Sequence, residues 1–137
     1  MDLQIIKIAS NNKNQKDIKN YTHKIKNKNS ICGDEIIISL LIKKNIIKDI
    51  GYNCKSCIFC QASINLLSKK VTKMDIISTI NLCNNVIDSY QIKEGKLDKK
   101  INFFKKILTK DNFARKDCLL LPFITLRKLL TLNDRKN

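Results

Sequence analysis

Apolar positions change period once along this chain, and the change divides it into a strand-forming first part and a helical remainder. From Glu35 to Ile42 the run Ile36-Ile37-Ile38-Ser39-Leu40-Leu41 is rich in β-branched residues, which pack well on a pleated surface, and it reads as a strand. Ile46 to Tyr52 reads as its partner across Lys43-Lys44-Asn45, so the two form a hairpin. Leu3 to Ala9 reads as a short helix. A Lys/Asn-rich loop from about 11 to 29 follows, with a weak edge strand around Tyr21 to Lys26.

After Cys57 the period becomes helical. Cys60, Ile64, Leu67 and Val71 share one face. Thr72 is placed to cap a second helix with Asp75 at its third position, and Ile76, Ile80, Cys83, Ile87 and Tyr90 form that helix's apolar stripe. Gly95 marks a break. A third helix is predicted over Leu97 to Leu108, and a fourth from about Leu119 to Leu132 with Phe123, Leu126 and Leu130 facing inward. Pro122 has no N–H to donate and fits the first turn of that helix, which puts Cys118 at or just before its N-terminus. Strands first and helices afterwards predict an α+β domain, a small antiparallel sheet of about three strands with helices packed on one face. There is no internal repeat and no linker, so residues 1–137 read as a single domain.

A chain of 137 residues is long enough to bury a core without disulfides or metal as staples. Acidic Asp2 and interrupted apolar stretches speak against a secretory signal and a membrane span, and predict a cytoplasmic protein. In that compartment six cysteines read as metal-binding or catalytic thiols rather than disulfides. The net charge of +15 invites a nucleic-acid partner. Against it, Lys, Ile and Asn dominate the composition, the lysines are spread along the whole chain and no Arg cluster exists, so the charge is assigned to a solvated surface. No Ser-His-Asp set, phosphate loop or carboxylate pair stands out. The chain reads as a carrier rather than an enzyme.

The chemistry concentrates in three places. Cys32-Gly33-Asp34 precedes the first hairpin strand, Cys57 follows the second, and Cys118 lies in Arg115-Lys116-Asp117-Cys118 before Leu119. Three soft thiols and one hard carboxylate make a four-ligand site if the fold gathers them. The hairpin brings Cys32, Asp34 and Cys57 to one edge of the sheet. A helix N-terminus favours the thiolate, the form that binds metal and attacks sulfur, and Cys57 and Cys118 are both placed at such ends. From residue types alone, the alternative of three buried cysteines acting as small hydrophobes stays open.

Cys-Gly-Asp before an Ile/Leu-rich strand, a Cys followed by Gln61-Ala62-Ser63 at a helix start, and a distal Cys after a basic residue resemble the U-type iron–sulfur cluster scaffold family. That family comprises IscU, SufU and the N-terminal domain of NifU, and the resemblance spans about Ser30 to Leu130. It implies a SufE/IscU-type domain with metal or cluster ligands at Cys32, Asp34, Cys57 and Cys118. It also implies zinc or a [2Fe-2S] cluster as cofactor, with a cysteine desulfurase and apo iron–sulfur client proteins as partners. The long interval from Cys57 to Cys118 is similar to the SufU branch. So is Asp117, which stands where IscU-like scaffolds carry His. Cys54-Lys55-Ser56 replaces the family's Gly-x-Gly, and Cys60 stands where Ser is usual.

With the carboxylate as weakest donor, a thiol can be freed, and a freed Cys118 thiolate is the sulfur acceptor in this reading. The remaining candidates have strong alternatives. Cys54, Cys57 and Cys60 spell C-x2-C-x2-C, but the fourth Cys and its Pro, which a ferredoxin needs, are missing. Cys60 lies on a buried stripe one turn from Cys57, so packing competes with an auxiliary-ligand role. Cys54 sits in the loop beside the site. Arg115 is placed to hold a thiolate or persulfide, or is a solvated surface residue. Cys83 fits a core stripe, and His23 lies away from every motif. The competing function is a structural-zinc binding module, nucleic-acid-associated through its basic surface, closed and inert where a scaffold site is labile and open to the surface.

Overall fold

The computed structural model describes residues 3–92 and 99–136. Its elements are α1 (Leu3–Ser10), β1 (His23–Lys28), β2 (Glu35–Lys43), β3 (Ile46–Lys55), α2 (Ile58–Val71), α3 (Ile76–Ile92) and α4 (Lys116–Lys136). The strands form one antiparallel sheet in the order β1-β2-β3. The predicted α+β class and the hairpin both hold. Ile36, Ile38, Leu40, Ile50 and Tyr52 point to one face, where α2 and α4 cover them, while the alternate residues face outward. The hairpin closes through Lys44 and Asn45, both with positive φ, which is the two-residue turn whose twist matches the strands.

β3 runs three residues beyond its predicted end at Tyr52, so Glu35 pairs with Lys55. This matters for the site. The extension carries Cys54 into the ladder and delivers the chain to Cys57 level with the start of β2. The outer edge of β3 is covered by the 11–22 segment, where the Tyr52 N–H donates to the Asn14 carbonyl at 3.1 Å. Gly51 makes this possible: a Cβ there would lie 2.4 Å from the Lys16 carbonyl oxygen.

Three expectations are corrected. Thr72 does not cap α3. It closes α2, its hydroxyl donating back to the Ser68 carbonyl at 2.7 Å, and Lys73 then turns with φ 74. Asp75 does the capping from just outside α3, its Oδ2 accepting the Ser78 N–H at 2.9 Å. The expected third helix begins outside the described residues. Within them Lys99–Phe104 is a 3-10 segment kinked at Ile101, followed by turns. Its apolar residues explain this: Ile101, Phe104 and Ile107 recur every three positions, the period of a 3-10 helix, and all are buried. Last, α4 starts at Lys116 after a 3-10 turn over Phe113–Arg115, so Pro122 is inside the helix and Cys118 in its first turn. The inward stripe of Phe123, Leu126 and Leu130 is as predicted, all three fully buried.

Candidate metal and sulfur-transfer site

Three segments meet at the end of the sheet where Glu35 faces Lys55. The first is the turn between β1 and β2, which carries Cys32 and Asp34. Gly33 has φ 77 with open space around it, so glycine is required here by backbone conformation rather than by crowding. The second is the start of α2, with Cys57 in the N-cap position. Its thiol makes no capping bond; instead its N–H donates to Asp34 Oδ1 at 3.1 Å. The third is the first turn of α4, with Cys118.

One donor atom from each of Cys32, Asp34 and Cys118 lies within 4.8 Å of the others. Cys57 Sγ lies 3.3 Å from Asp34 Oδ2, donating its thiol hydrogen to the carboxylate. The four residues therefore converge. Zinc–thiolate bonds of about 2.3 Å put tetrahedral ligand atoms about 3.8 Å apart, so a modest contraction would close this group on a metal ion. Accessibility is graded: Cys32 is exposed, Cys57 intermediate, and Asp34 and Cys118 are 6% and 3% exposed.

The expectation that a helix start favours the Cys118 thiolate does not hold. Burial first, and then hydrogen bonding with the Cys57 and Cys32 thiols and Asp34, push the Cys118 thiol up, well above the ordinary thiol range. A cation in the site would take the place of these shared protons.

The auxiliary candidates fall outside this group. Cys60 is fully buried in the core on α2, and burial raises its pKa. Cys54 is half-buried on β3 opposite Ile36, with its thiol also raised by burial. The Ser56 hydroxyl eases ionisation of both, a smaller effect, although its own Oγ is buried without a well-formed hydrogen bond. Arg115 places its guanidinium over the Phe59 ring, 5.3 Å from the centroid. Cys83 is core, as expected. His23 pairs with Thr22 and sits opposite Leu40, five ladder positions and roughly 17 Å from the site.

Sequence reasoning missed two residues that shape the site. Ser63 on α2 donates to the Leu119 carbonyl at 2.5 Å, holding the first turn of α4 from below. Asn29 folds the Cys32 turn: its Oδ1 accepts the Ile31 N–H at 2.8 Å, its carbonyl accepts the Gly33 N–H at 2.8 Å, and its N–H donates to the Asp34 carbonyl at 2.8 Å. An Asn three residues ahead of a Cys-Gly pair is an Asx-turn signal, and it was available in the sequence.

Fold and donor group together define the class: a small α+β domain with a thiol–carboxylate cluster able to hold a metal ion at one end of its sheet. Residues 2–103 match the family described as NifU-like N terminal domain, a span that includes Cys32, Asp34 and Cys57 and stops before Cys118. Over 106 residues the chain is 30% identical to the iron-sulfur cluster assembly scaffold protein IscU of Thermotoga maritima, covering 75% of this chain and 72% of that protein. The fold matches the SufU protein of Fervidobacterium islandicum, assigned to iron-sulfur cluster scaffolding for the SUF system. That match has a TM-score of 0.84 at 23% identity, over 95% of this chain and 96% of that one. It also matches the N-terminal part of a nitrogen-fixing NifU-like protein from Brucella abortus, with a TM-score of 0.84 at 14% identity, over 99% and 95% of the two chains. The chain belongs to the NifU-like N-terminal domain family of U-type iron–sulfur cluster assembly scaffolds. Among the described residues no helix is long and apolar enough to cross a membrane.

Proposed function

We propose that this protein holds zinc or a transient [2Fe-2S] cluster on Cys32, Asp34, Cys57 and Cys118, and that Cys118 receives persulfide sulfur from a cysteine desulfurase in the cytoplasm. Apo iron–sulfur proteins are the clients. The observation that carries this reading is the convergence of three thiols and a carboxylate at a graded, surface-reaching site in a chain of this family. A structural-zinc site is closed, all four positions filled by protein ligands that stay in place; here one proposed ligand, Cys32, is exposed and open to exchange with a partner. Bound metal would keep the thiolates ionised and ordered.

The sulfur step is a thiol–persulfide exchange. The Cys118 thiolate attacks the outer sulfur of the donor persulfide, forming a new S–S bond. The donor's S–S bond breaks, its cysteine leaves as thiolate and takes up a proton, and Cys118 carries the persulfide. No net oxidation occurs.

The test combines metal analysis of anaerobically purified protein with a desulfurase assay. Wild type should carry about one zinc ion or one cluster per chain. Cys32→Ser and Cys57→Ser should lose it and Cys83→Ser should keep it. Desulfurase turnover should rise with wild type and stay near basal with Cys118→Ser. Equal metal loss from Cys83→Ser refutes the ligand set. Full stimulation by Cys118→Ser, with the persulfide found on Cys60, moves the acceptor role to the Cys57/Cys60 pair.

A further inference from the structure

Cys118 occupies an unusual stretch of helix. Pro122 stands four residues later and has no N–H, so the Cys118 carbonyl lacks its helical partner. The carbonyls on either side are held from outside the helix instead. Ser63 Oγ donates to the Leu119 carbonyl at 2.5 Å, and Asn29 Nδ2 donates to the Asp117 carbonyl at 3.2 Å. The second of these bonds comes from the side chain that also folds the Cys32 turn, through Oδ1 accepting the Ile31 N–H at 2.8 Å and the Cys32 N–H at 3.4 Å. One amide thus spans the backbone of the Cys32 turn and the residue next to Cys118.

From this geometry we infer that Asn29 is a positioning residue: it sets the spacing between Cys32 and Cys118, and with it how tightly the site captures a metal ion. The inference rests on the ligand set proposed above. Asn29 touches no donor atom; it acts through the backbone on both sides of the site. Asn27 supplies a comparison within the same molecule. It also ties β1 to α4, its Nδ2 donating to Thr125 Oγ1 at 3.0 Å, but Thr125 lies two turns beyond Cys118, about 10 Å along the helix. Loss of the Asn27 tie should weaken the fold without changing the ligand spacing.

The experiment uses the full chain and Co(II) as a spectroscopic probe, with zinc affinity from chelator competition. Asn29→Asp keeps an acceptor for the turn and loses the donor to the Asp117 carbonyl. Expected are a 10- to 100-fold weaker affinity, roughly the cost of losing a metal site's supporting hydrogen bond, and altered Co(II) d–d absorption. This should occur even though the added negative charge would by itself attract the cation. Asn27→Ala should lower the melting temperature and leave affinity within about twofold and the d–d bands unchanged. Adding Pro122→Ala to Asn29→Asp restores an N–H to the Cys118 carbonyl and should recover part of the affinity. Asn29→Ser, too short to reach Asp117, gives the same reading should the aspartate variant not fold. Wild-type affinity and d–d bands in Asn29→Asp, or equal losses in Asn27→Ala, would overturn the inference. A wild-type protein with no thiolate-to-cobalt charge-transfer band would instead refute the ligand set itself.

Discussion

Asp34 has two jobs in this structure, and Asp34→Ala should separate them with opposite signs. In the metal-free protein its buried carboxylate satisfies the Cys57 N–H at the start of α2, where Cys57 makes no cap of its own. A hydrogen bond to a charged group is worth about 1.5–3 kcal/mol, and the relief of a buried carboxylate offsets part of it, so the net loss should be about 1–2 kcal/mol. For a domain of this size that lowers the melting temperature by about 4–8 °C. Asp34→Asn keeps an oxygen facing the Cys57 N–H and should recover most of the loss. In the loaded protein the effect reverses. In the metal-free protein Asp34 Oδ2 accepts the Cys57 thiol hydrogen at 3.3 Å, so this carboxylate is placed to return a proton to the thiolate, and protonation of a thiolate is what releases it from a metal. With alanine that route is gone, so a bound metal or cluster should persist longer and pass more slowly to an apo-acceptor. Calorimetry on apo protein and cluster-transfer rates from the loaded protein measure the two effects. An unchanged melting temperature refutes the capping role, and cluster decay as fast as wild type refutes the account of lability.

Two further predictions concern the frame. Gly51→Ala forces a Cβ to within 2.4 Å of the Lys16 carbonyl and 3.0 Å of Ile18 Cγ1, so urea unfolding should show a loss of about 2–3 kcal/mol; an unchanged midpoint would mean that the 11–22 segment does not pack on β3 in solution. Burial pushes the Cys83 thiol from 9.0 up to about 12, Arg127 opposing. The unfolded chain then gives up this proton near pH 9 while the folded chain keeps it, so stability is fully present below pH 9 and falls by about 1.4 kcal/mol per pH unit up to about 12. Cys83→Ala should flatten that slope by one proton in pH-dependent denaturant melts, and an identical slope would refute the assignment.

Legibility in the sequence followed the strength of the local signal. The hairpin was readable because β-branched residues run through Ile36 to Ile38, with the fully buried Ile36, Ile38 and Leu40 recurring at the strand period of two. α2 was readable from one unbroken stripe. The α2–α3 junction was not, because Thr72 and Asp75 are both good caps and the choice was made by tertiary bonds: Lys73 and Met74 pair with Ile47 of β3, which keeps the chain out of the helix until Asp75. Pro122 misled for a related reason. A proline in a helix interior is unfavourable in isolation, but Ser63 and Asn29 hold the carbonyls on either side of the one it deprives of a helical N–H. The residues that converge at the site were found by their motif words, whereas the state of Cys118 was not. Its place in the helix argued for a thiolate, and burial among other acids, which no motif encodes, decided for the thiol.

The graded exposure of the site constrains the order of events. A partner meets Cys32 first, since Cys118 lies beneath at 3% exposure. On the function proposed above, a persulfide reaches Cys118 once a covering segment moves, and the Cys32 turn, whose donor atom lies within 4.8 Å, is a neighbouring one. Among the described residues, this turn is joined to α4 by the hydrogen bond from Asn29 to the Asp117 carbonyl, worth about 1 kcal/mol, beside the thiol contacts of Cys118 with Cys32 and Asp34. The hinge is also at hand, because Gly33 already occupies a conformation that few other residues tolerate and can leave it at little cost. A metal ion shared by Cys32 and Cys118 would fasten the same turn far more strongly. A metal ion would therefore have to let go of Cys118 before sulfur is accepted there, and a partner that draws the Cys32 turn outward would both free this thiolate and expose it.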